Sequence, residues 1–290
     1  MDHVTETNME SGQTGAPAPL IHPTALIAQG ARVAPGAEIG PWCSIGPQAA
    51  IGAGARLISH VVVDGDTEIG EGCVIYPFAT IGMAPQDLKY RGEATRTVVG
   101  PRTQIREHCT IHRGTVTGTG MTRVGADCLL MAVVHVAHDC DLGDGVIVAN
   151  NVVMGGHVTI GAGAVIGGAT ALHQFVRIGR GAMVGGASGV EADVIPFGTV
   201  LGNRARLTGL NVVGLKRRGV DRAGLHRLRD AFRLLFNVGG EGGPVFAARL
   251  EQARALATDP LVAELLAFID VPSRRGLVRG GAQMDDDIGG

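Results

Sequence analysis

Ile39-Gly40-Pro41-Trp42-Cys43-Ser44-Ile45-Gly46-Pro47-Gln48-Ala49-Ala50-Ile51-Gly52 carries an aliphatic residue at every sixth position, each followed by glycine. The period extends in both directions. It runs back through Val33 and Ile27 to Ile21, and forward through Leu57, Val63, Ile69 and Ile75 to Ile81. Val99, Ile105 and Ile111 continue it. A series of shifted phase then runs from Val124 through Leu130, Val136, Leu142, Val148, Met154, Ile160, Ile166, Leu172, Ile178 and Val184 to Val190. Aliphatics make up about a third of an average chain, so chance does not sustain such a run. A period of six is neither a helix face nor a simple alternating strand. It fits short strands separated by corners, each strand placing one large residue in a central core.

Four residues after the aliphatic a small residue recurs, as at Ala31, Ala37, Cys43, Ala49, Ala55, Cys73, Ala79, Cys109, Cys128, Cys140, Ala164 and Ala182. Both slots are expected to point inward. All five cysteines occupy the small slot and read as buried, reduced thiols acting as small apolar residues. Their odd number and the lack of a C-x-x-C motif argue against disulfides or a thiolate metal site. The glycines that follow the aliphatics, such as Gly40, Gly46 and Gly82, are expected to supply the positive φ of tight corners.

The composition agrees with a repeat. The chain has 290 residues with 46 Gly and only 3% aromatic residues, so its core must be built from aliphatics stacked in order. A net charge of −2 offers no basic field for nucleic acid. No apolar run reaches the length of a membrane span. Residues 1–19 are polar and lack the basic and apolar regions of a secretory signal, so a flexible N-terminal tail and a cytoplasmic setting are expected. The pattern resembles that of hexapeptide-repeat proteins. Their family fold is a left-handed parallel β-helix of triangular section, with three hexads in a coil of 18 residues. The left hand is implied by that resemblance alone. Eight to nine coils at strand spacing would make a prism roughly 40 Å tall.

The expected fold is therefore mainly β. A hexapeptide-repeat β-helix covers 20–192, a connection with a basic motif covers 193–220, a C-terminal α-helical domain covers 221–279, and a flexible tail covers 280–290. Helical periodicity appears in Leu225, Leu228, Phe232 and Leu235, in Phe246 and Leu250 after Pro244, and in Leu261, Leu265 and Phe268 after Asp259-Pro260.

The histidines avoid the inward slots. His60, His108, His112, His135, His138, His157 and His173 are all expected on walls or corners, within reach of solvent. His157 follows His138 by 19 residues and His173 follows it by 35, about one and two coils above. With His135 they would line a vertical strip about 10–15 Å long. The repeat breaks near 83–97, which holds Gln86-Asp87-Leu88-Lys89-Tyr90, and near 113–123, which is rich in Gly and Thr. Insertions in a solenoid become loops, either solvated excursions or carriers of binding groups. Asp87 and Lys89 offer an acceptor and a cation to a polar substrate. The cluster Gly214-Leu215-Lys216-Arg217-Arg218-Gly219 is either a solvated face or a phosphate clamp.

At a finer level the chain resembles the acyl-carrier-protein–UDP-N-acetylglucosamine O-acyltransferase family, which opens lipid A synthesis. The likeness covers about Ile21 to Arg279. It is carried by Gln86-Asp87-Leu88-Lys89-Tyr90, Ile111-His112-Arg113-Gly114-Thr115, Val134-His135-Val136-Ala137-His138-Asp139-Cys140, Ala149-Asn150-Asn151, His173-Gln174-Phe175, the basic cluster, and Arg275-Gly276-Leu277-Val278-Arg279. The resemblance implies a homotrimer with active sites between neighbouring prisms. It also implies transfer of a 3-hydroxyacyl chain from acyl carrier protein to the sugar 3-hydroxyl of UDP-N-acetylglucosamine, without cofactor or metal. His138 matches the family's general base, Asp139 its orienting carboxylate, and the N–H of Gly156 the group that binds the developing oxyanion. Gly156 lies 18 residues after His138, one coil above it.

Gln86, Asp87, Lys89, His135, His157, His173 and Gln174 match the surroundings of the sugar and acyl chain. Asn211, Arg217 and Arg218 match the nucleotide end, and Gly186 the position that limits acyl length. Near the nucleotide Arg204 and Val213 depart from the family, where His and Glu are frequent, which makes that end more basic or more apolar. Adjacent strand residues face opposite ways, so pairing of His138 with Asp139 requires a corner or an interchain arrangement.

Three other functions fit the repeat. A zinc hydratase of the γ-class carbonic anhydrase type would use three wall histidines, but leaves the first insertion and the Arg pair without a role. An acetyltransferase or N-acyltransferase acting on another sugar nucleotide would share the scaffold. A non-catalytic solenoid would not need the histidine cluster.

Overall fold

The computed structural model describes residues 17–236 and 245–280. The repeat folds as three sheets of 11, 9 and 8 short strands that form the walls of a prism. Neighbouring strands of a wall come from successive coils and run parallel. Leu20 pairs with Glu38 and Ile21 with Ile39, a step of 18 residues. The two insertions lengthen that step without disturbing the pairing. Val74 pairs with Gln104, a step of 30, and Gln104 with Leu129, a step of 25, so the breaks add twelve and seven residues. The strands Arg96–Val99 and Met121–Val124 resume inside the stretches expected as breaks, leaving loops at 84–95 and 113–120. Both loops leave the prism at one corner, between the second sheet, which holds Leu26–Ile27, and the third, which holds Arg32–Val33.

The interior is the expected stack of large and small residues. Ile39, Ile45, Ile75, Ile105, Leu130 and Leu142 are among the largest fully buried side chains. Cys43, Cys73, Cys109, Cys128 and Cys140 are all buried and unpaired. Burial pushes their thiols up, Cys109 to about 11 and Cys140 to about 12.

The glycines after the aliphatics serve a different purpose from the one expected. Of those named, only Gly82 has a positive φ, at 77°. Gly40 has an ordinary backbone, but a Cβ there would fall inside the carbonyl oxygen of Ile58 in the next coil. Glycine is required at such positions because coils stacked at strand spacing leave no volume for a side chain. The left-handed corner position falls two residues later and is often not glycine, as at Trp42 (φ 60°), Phe78 (φ 66°) and Asp139 (φ 58°).

The stretch expected as a connection, 193–220, continues the structure. Gly198–Leu201 adds a parallel strand to the first sheet, and Arg206–Leu210 turns back against it in antiparallel pairing. Asp193 is fully buried and accepts from Arg177 Nε at 2.7 Å. The basic cluster forms the short helix α1 (Val212–Arg217), and α2 (Arg222–Phe236), α3 (Phe246–Arg254) and α4 (Pro260–Asp270) follow. Leu225, Leu228, Phe232 and Leu235 line the buried face of α2, as their spacing requires. Asp259 caps α4 by accepting from the N–H groups of Leu261 and Val262. Pro244, most of the N-terminal tail and nearly all of the C-terminal tail lie outside the described residues.

Two measurements test the packing. Ile75→Ala should destabilise the protein by about 2–5 kcal/mol in denaturant unfolding, through lost contacts and an unfilled cavity. A thiol-reactive probe at neutral pH should label none of the five cysteines in native protein and all five after denaturation. Labelling of the native protein at the solvent rate would contradict their burial.

Candidate active site

The corner that emits both loops also carries a column of two-residue turns. His138-Asp139 links His135–Val136 to Asp141–Leu142, and Gly156-His157 and Gln174-Phe175 occupy the same place in the next two coils. Backbone bonds tie the column together, His157 N–H donating to His138 O at 3.0 Å and Phe175 N–H to Gly156 O at 3.1 Å. The second residue of each turn has a positive φ of 58°, 63° or 66°. That conformation breaks the alternation of a strand. It brings the carboxylate of Asp139 to 2.8 Å from His138 Nδ1, so neighbours in sequence become partners without help from another chain.

Asp139 is held by the second insertion. Its side chain is fully buried. Thr115 donates to it from its hydroxyl at 2.7 Å and from its N–H at 3.1 Å. Thr119 donates from its N–H at 2.9 Å, and Gly120 from its N–H at 3.2 Å. Gly118 packs against the carboxylate so closely that a Cβ would collide with it. Burial opposes ionisation, but the hydrogen bonds from His138 and Thr115 outweigh it and hold the carboxyl well below its usual range. The ionised carboxylate fixes the proton of His138 on Nδ1 and leaves the Nε2 lone pair free.

Gly156 lies directly against that ring. A Cβ there would sit 2.6 Å from His138 Nε2. Its N–H takes no partner in the backbone ladder among the described residues, whereas those of Gly155 and His157 do. The ring of His157 meets that of His138 edge-on, with centroids 5.1 Å apart, and stacks on Phe175 at 4.4 Å. Burial lowers the pKa of His157, with Asp139 and, more weakly, Asp87 of the first insertion acting in the opposite sense. That insertion leaves the prism at the same corner. Gln86 and Lys89 lie exposed on it, and Asp87 accepts from Lys89 N–H at 2.9 Å.

His135 stands on the strand below the turn, 2.6 Å from the hydroxyl of Thr110. His173 is exposed beside Gln174. His60 and His108 lie elsewhere, stacked with Trp42 and Phe78 along the corner between the first and second sheets. His112 is not on an accessible wall as expected. It is 6% exposed, its ring edge-on to that of His135, with Nδ1 lacking a hydrogen-bond partner. Burial, then the nearby His135 and His138, push its pKa down to about 4.

The remaining expected site residues lie apart from His138. Gly186 falls on the corner between the first and second sheets. Asn211 caps α1 by accepting from Gly214 N–H at 2.9 Å and donates to Gly181 O at 2.9 Å. Arg218 donates to Gly163 O. Gly163 and Gly181 mark the corner between the third and first sheets. Arg217 and Val213 are exposed on α1. Thr115, Thr119 and Phe175 complete the corner around His138, although no spacing in the sequence singles them out.

A family model described as UDP N-acetylglucosamine O-acyltransferase, domain 2, matches residues 193–278, and one described as bacterial transferase hexapeptide (six repeats) matches residues 121–156. Over 258 residues the chain is 53% identical to the acyl-[acyl-carrier-protein]--UDP-N-acetylglucosamine O-acyltransferase of Caulobacter vibrioides, covering 89% of this chain and 97% of that one. The chain belongs to this O-acyltransferase family. The UDP-N-acetylglucosamine O-acyltransferase of Moraxella catarrhalis superposes with a TM-score of 0.86 at 45% identity, covering 89% of this chain and 99% of that one. The family member from Acinetobacter baumannii gives 0.84 at 42% identity, over 90% and 100%.

Because the folded chain disfavours protonated His112, its contribution to stability is complete above about pH 6.5 and is lost as pH falls toward 4. The urea midpoint should therefore decline across that window, and decline less in His112→Asn. An equal decline in both proteins would contradict the burial of a neutral ring.

Proposed function

We propose that this O-acyltransferase transfers a 3-hydroxyacyl chain from acyl carrier protein to the 3-hydroxyl of UDP-N-acetylglucosamine in lipid A biosynthesis, with His138 as general base. The observation that carries this role is the set His138, Asp139 and Gly156, in which one imidazole is oriented by a buried carboxylate and lies against a glycine whose N–H takes no partner in the backbone ladder. The sugar oxygen attacks the thioester carbonyl carbon while its proton passes to His138 Nε2. The Gly156 N–H stabilises the oxyanion. Collapse breaks the carbon–sulfur bond, and the departing thiolate recovers the proton from His138. His135, His157, His173, Gln174, Gln86, Asp87 and Lys89 surround the acyl chain and sugar, and Asn211, Arg217 and Arg218 serve the nucleotide.

With Gly186 these groups occupy three different corners of one prism, so a single copy cannot close them around one substrate. A cyclic homotrimer, with the catalytic corner of one copy facing another corner of its neighbour, resolves that separation. Gly186 would then bound the acyl cleft and leave room for a long chain. The carrier-protein donor and the sugar nucleotide suit a cytoplasmic enzyme, and among the described residues no helix is long and apolar enough to cross a membrane.

One observation favours a metal at the same place. Ligand atoms of His138, Asp139 and His157 lie within 4.8 Å of one another. The carboxylate is already engaged by Thr115, Thr119 and His138, so a hydrogen-bonded pair accounts for the spacing. Stoichiometric zinc with CO₂ hydration in purified protein would reverse that assignment.

His138→Ala should lower kcat by about 10²- to 10⁴-fold with hydroxyacyl carrier protein and UDP-N-acetylglucosamine, and retained turnover would remove His138 from its role. Gly156→Ala should fold with an unchanged melting point and yet lose activity, because the added methyl displaces the imidazole.

A further inference from the structure

Charge is unevenly placed on the walls of the prism. Outward positions of the third sheet hold ion pairs that bridge successive coils, such as Arg96 with Asp66 at 3.0 Å and Arg123 with Asp141 at 3.6 Å. In the upper coils the outward positions of the other two sheets are apolar, with Leu129, Ile147, Val165 and Met183 on the first and Val153 and Ala171 on the second. In the trimer proposed above, the apolar walls meet and the charged wall faces water. The second wall of one copy then lies against the first wall of the next. That arrangement sets the His138 corner beside the neighbour's corner that carries Arg218. It also turns the edge between the first and second sheets of every copy toward the threefold axis.

That edge carries the column of Trp42, His60, Phe78 and His108, one ring to a coil. Trp42 is 61% exposed and Phe78 49%. The ring centroids of His60 and Phe78 are 4.9 Å apart and those of Phe78 and His108 5.0 Å, with planes inclined by 32° and 11°. Those distances match the coil spacing of about 4.7–4.9 Å, so the rings lie face over face and present their edges to the axis. Neither imidazole makes a hydrogen bond or an ion pair among the described residues. Phe78 loses nothing polar when another copy covers it, but each imidazole gives up water at two ring nitrogens. Threefold symmetry brings three such imidazoles to one level, where a metal ion takes a lone pair from all three at once.

We propose that the trimer holds two divalent transition-metal ions such as zinc on its threefold axis, one bound by the three copies of His60 and the other by the three copies of His108. The inference rests on the trimer proposed above. The two levels are two coils apart, roughly 10 Å, too far for one ion to serve both. Gly186, on the same edge, is four coils above His108, roughly 19 Å. The ions therefore join the copies and take no part in acyl transfer.

The test uses the full chain, freed of metal with a chelator and returned to zinc, with its oligomeric state measured by light scattering. Trimeric wild type should bind two zinc ions per trimer, His60→Asn and His108→Asn one each, and the double variant none. Asparagine tolerates the left-handed backbone of these positions, whose φ values are 53° and 58°. All four proteins should share one kcat, and zinc should raise the melting temperature of wild type but not of the double variant. Zinc-edge X-ray absorption of wild type, which depends on no variant, should show three imidazole nitrogens at about 2.0–2.1 Å. Two nitrogens and a carboxylate would place the ion at His138, Asp139 and His157 and overturn the proposal. A wild-type trimer that binds no zinc, or a double variant that keeps it, would overturn it as well. A monomeric wild type would instead remove the trimer, and the axial sites with it.

Discussion

Coil-to-coil contact governs this protein. Strands of successive coils pair at backbone distance, and at positions such as Gly40 and Gly52 the next turn lies too near for even a methyl group. Extra residues therefore cannot be absorbed inside the prism. The twelve and seven residues of the two insertions are expelled at a corner, and the strands on either side keep their register. What leaves the scaffold does so next to the turns that hold His138 and His157. The dense packing that excludes side chains from the stack thus also crowds polar groups onto one edge.

That edge separates charge from neutrality over a few ångströms. Asp139 is ionised because the Thr115–Gly120 backbone and hydroxyls surround it with donors, a small anion nest built by the second insertion. His112, at the start of the same loop, lacks such partners and is held neutral. Both groups are thereby driven to lose their proton, Asp139 by donors that favour its charge and His112 by desolvation that favours neutrality. His138 sits between them with one nitrogen anchored and the other facing outward.

Much of the architecture was legible because a six-residue period has few structural interpretations. The large and small inward slots named every coil, and the cysteines fell where volume required. The function of the glycines was not legible. Gly40 and Gly82 follow aliphatics alike, yet one answers to the coil above and the other to its own φ, a distinction that depends on three-dimensional neighbours. The pairing of His138 with Asp139 was obscured for a similar reason. Period-two alternation forbids it, and only the left-handed Asp139 permits it. Family motifs marked His138, Asp139 and Gly156, but Thr115 and Thr119 lie in a Gly- and Thr-rich loop whose composition reads equally well as solvated. His112 lay outside both inward slots, yet it is buried all the same.

The ladder also makes axial distance discrete. Groups on the catalytic corner are separated by whole coils, since a backbone bonded above and below cannot slide by a fraction of a strand. A substitution can change what a rung carries, as at Gly156 or Gln174, but not the interval between rungs. A change of reach along the axis would require gain or loss of an entire 18-residue coil, whereas changes across the axis need only a new side chain. Divergence among enzymes built this way should accordingly be continuous in width and stepwise in height.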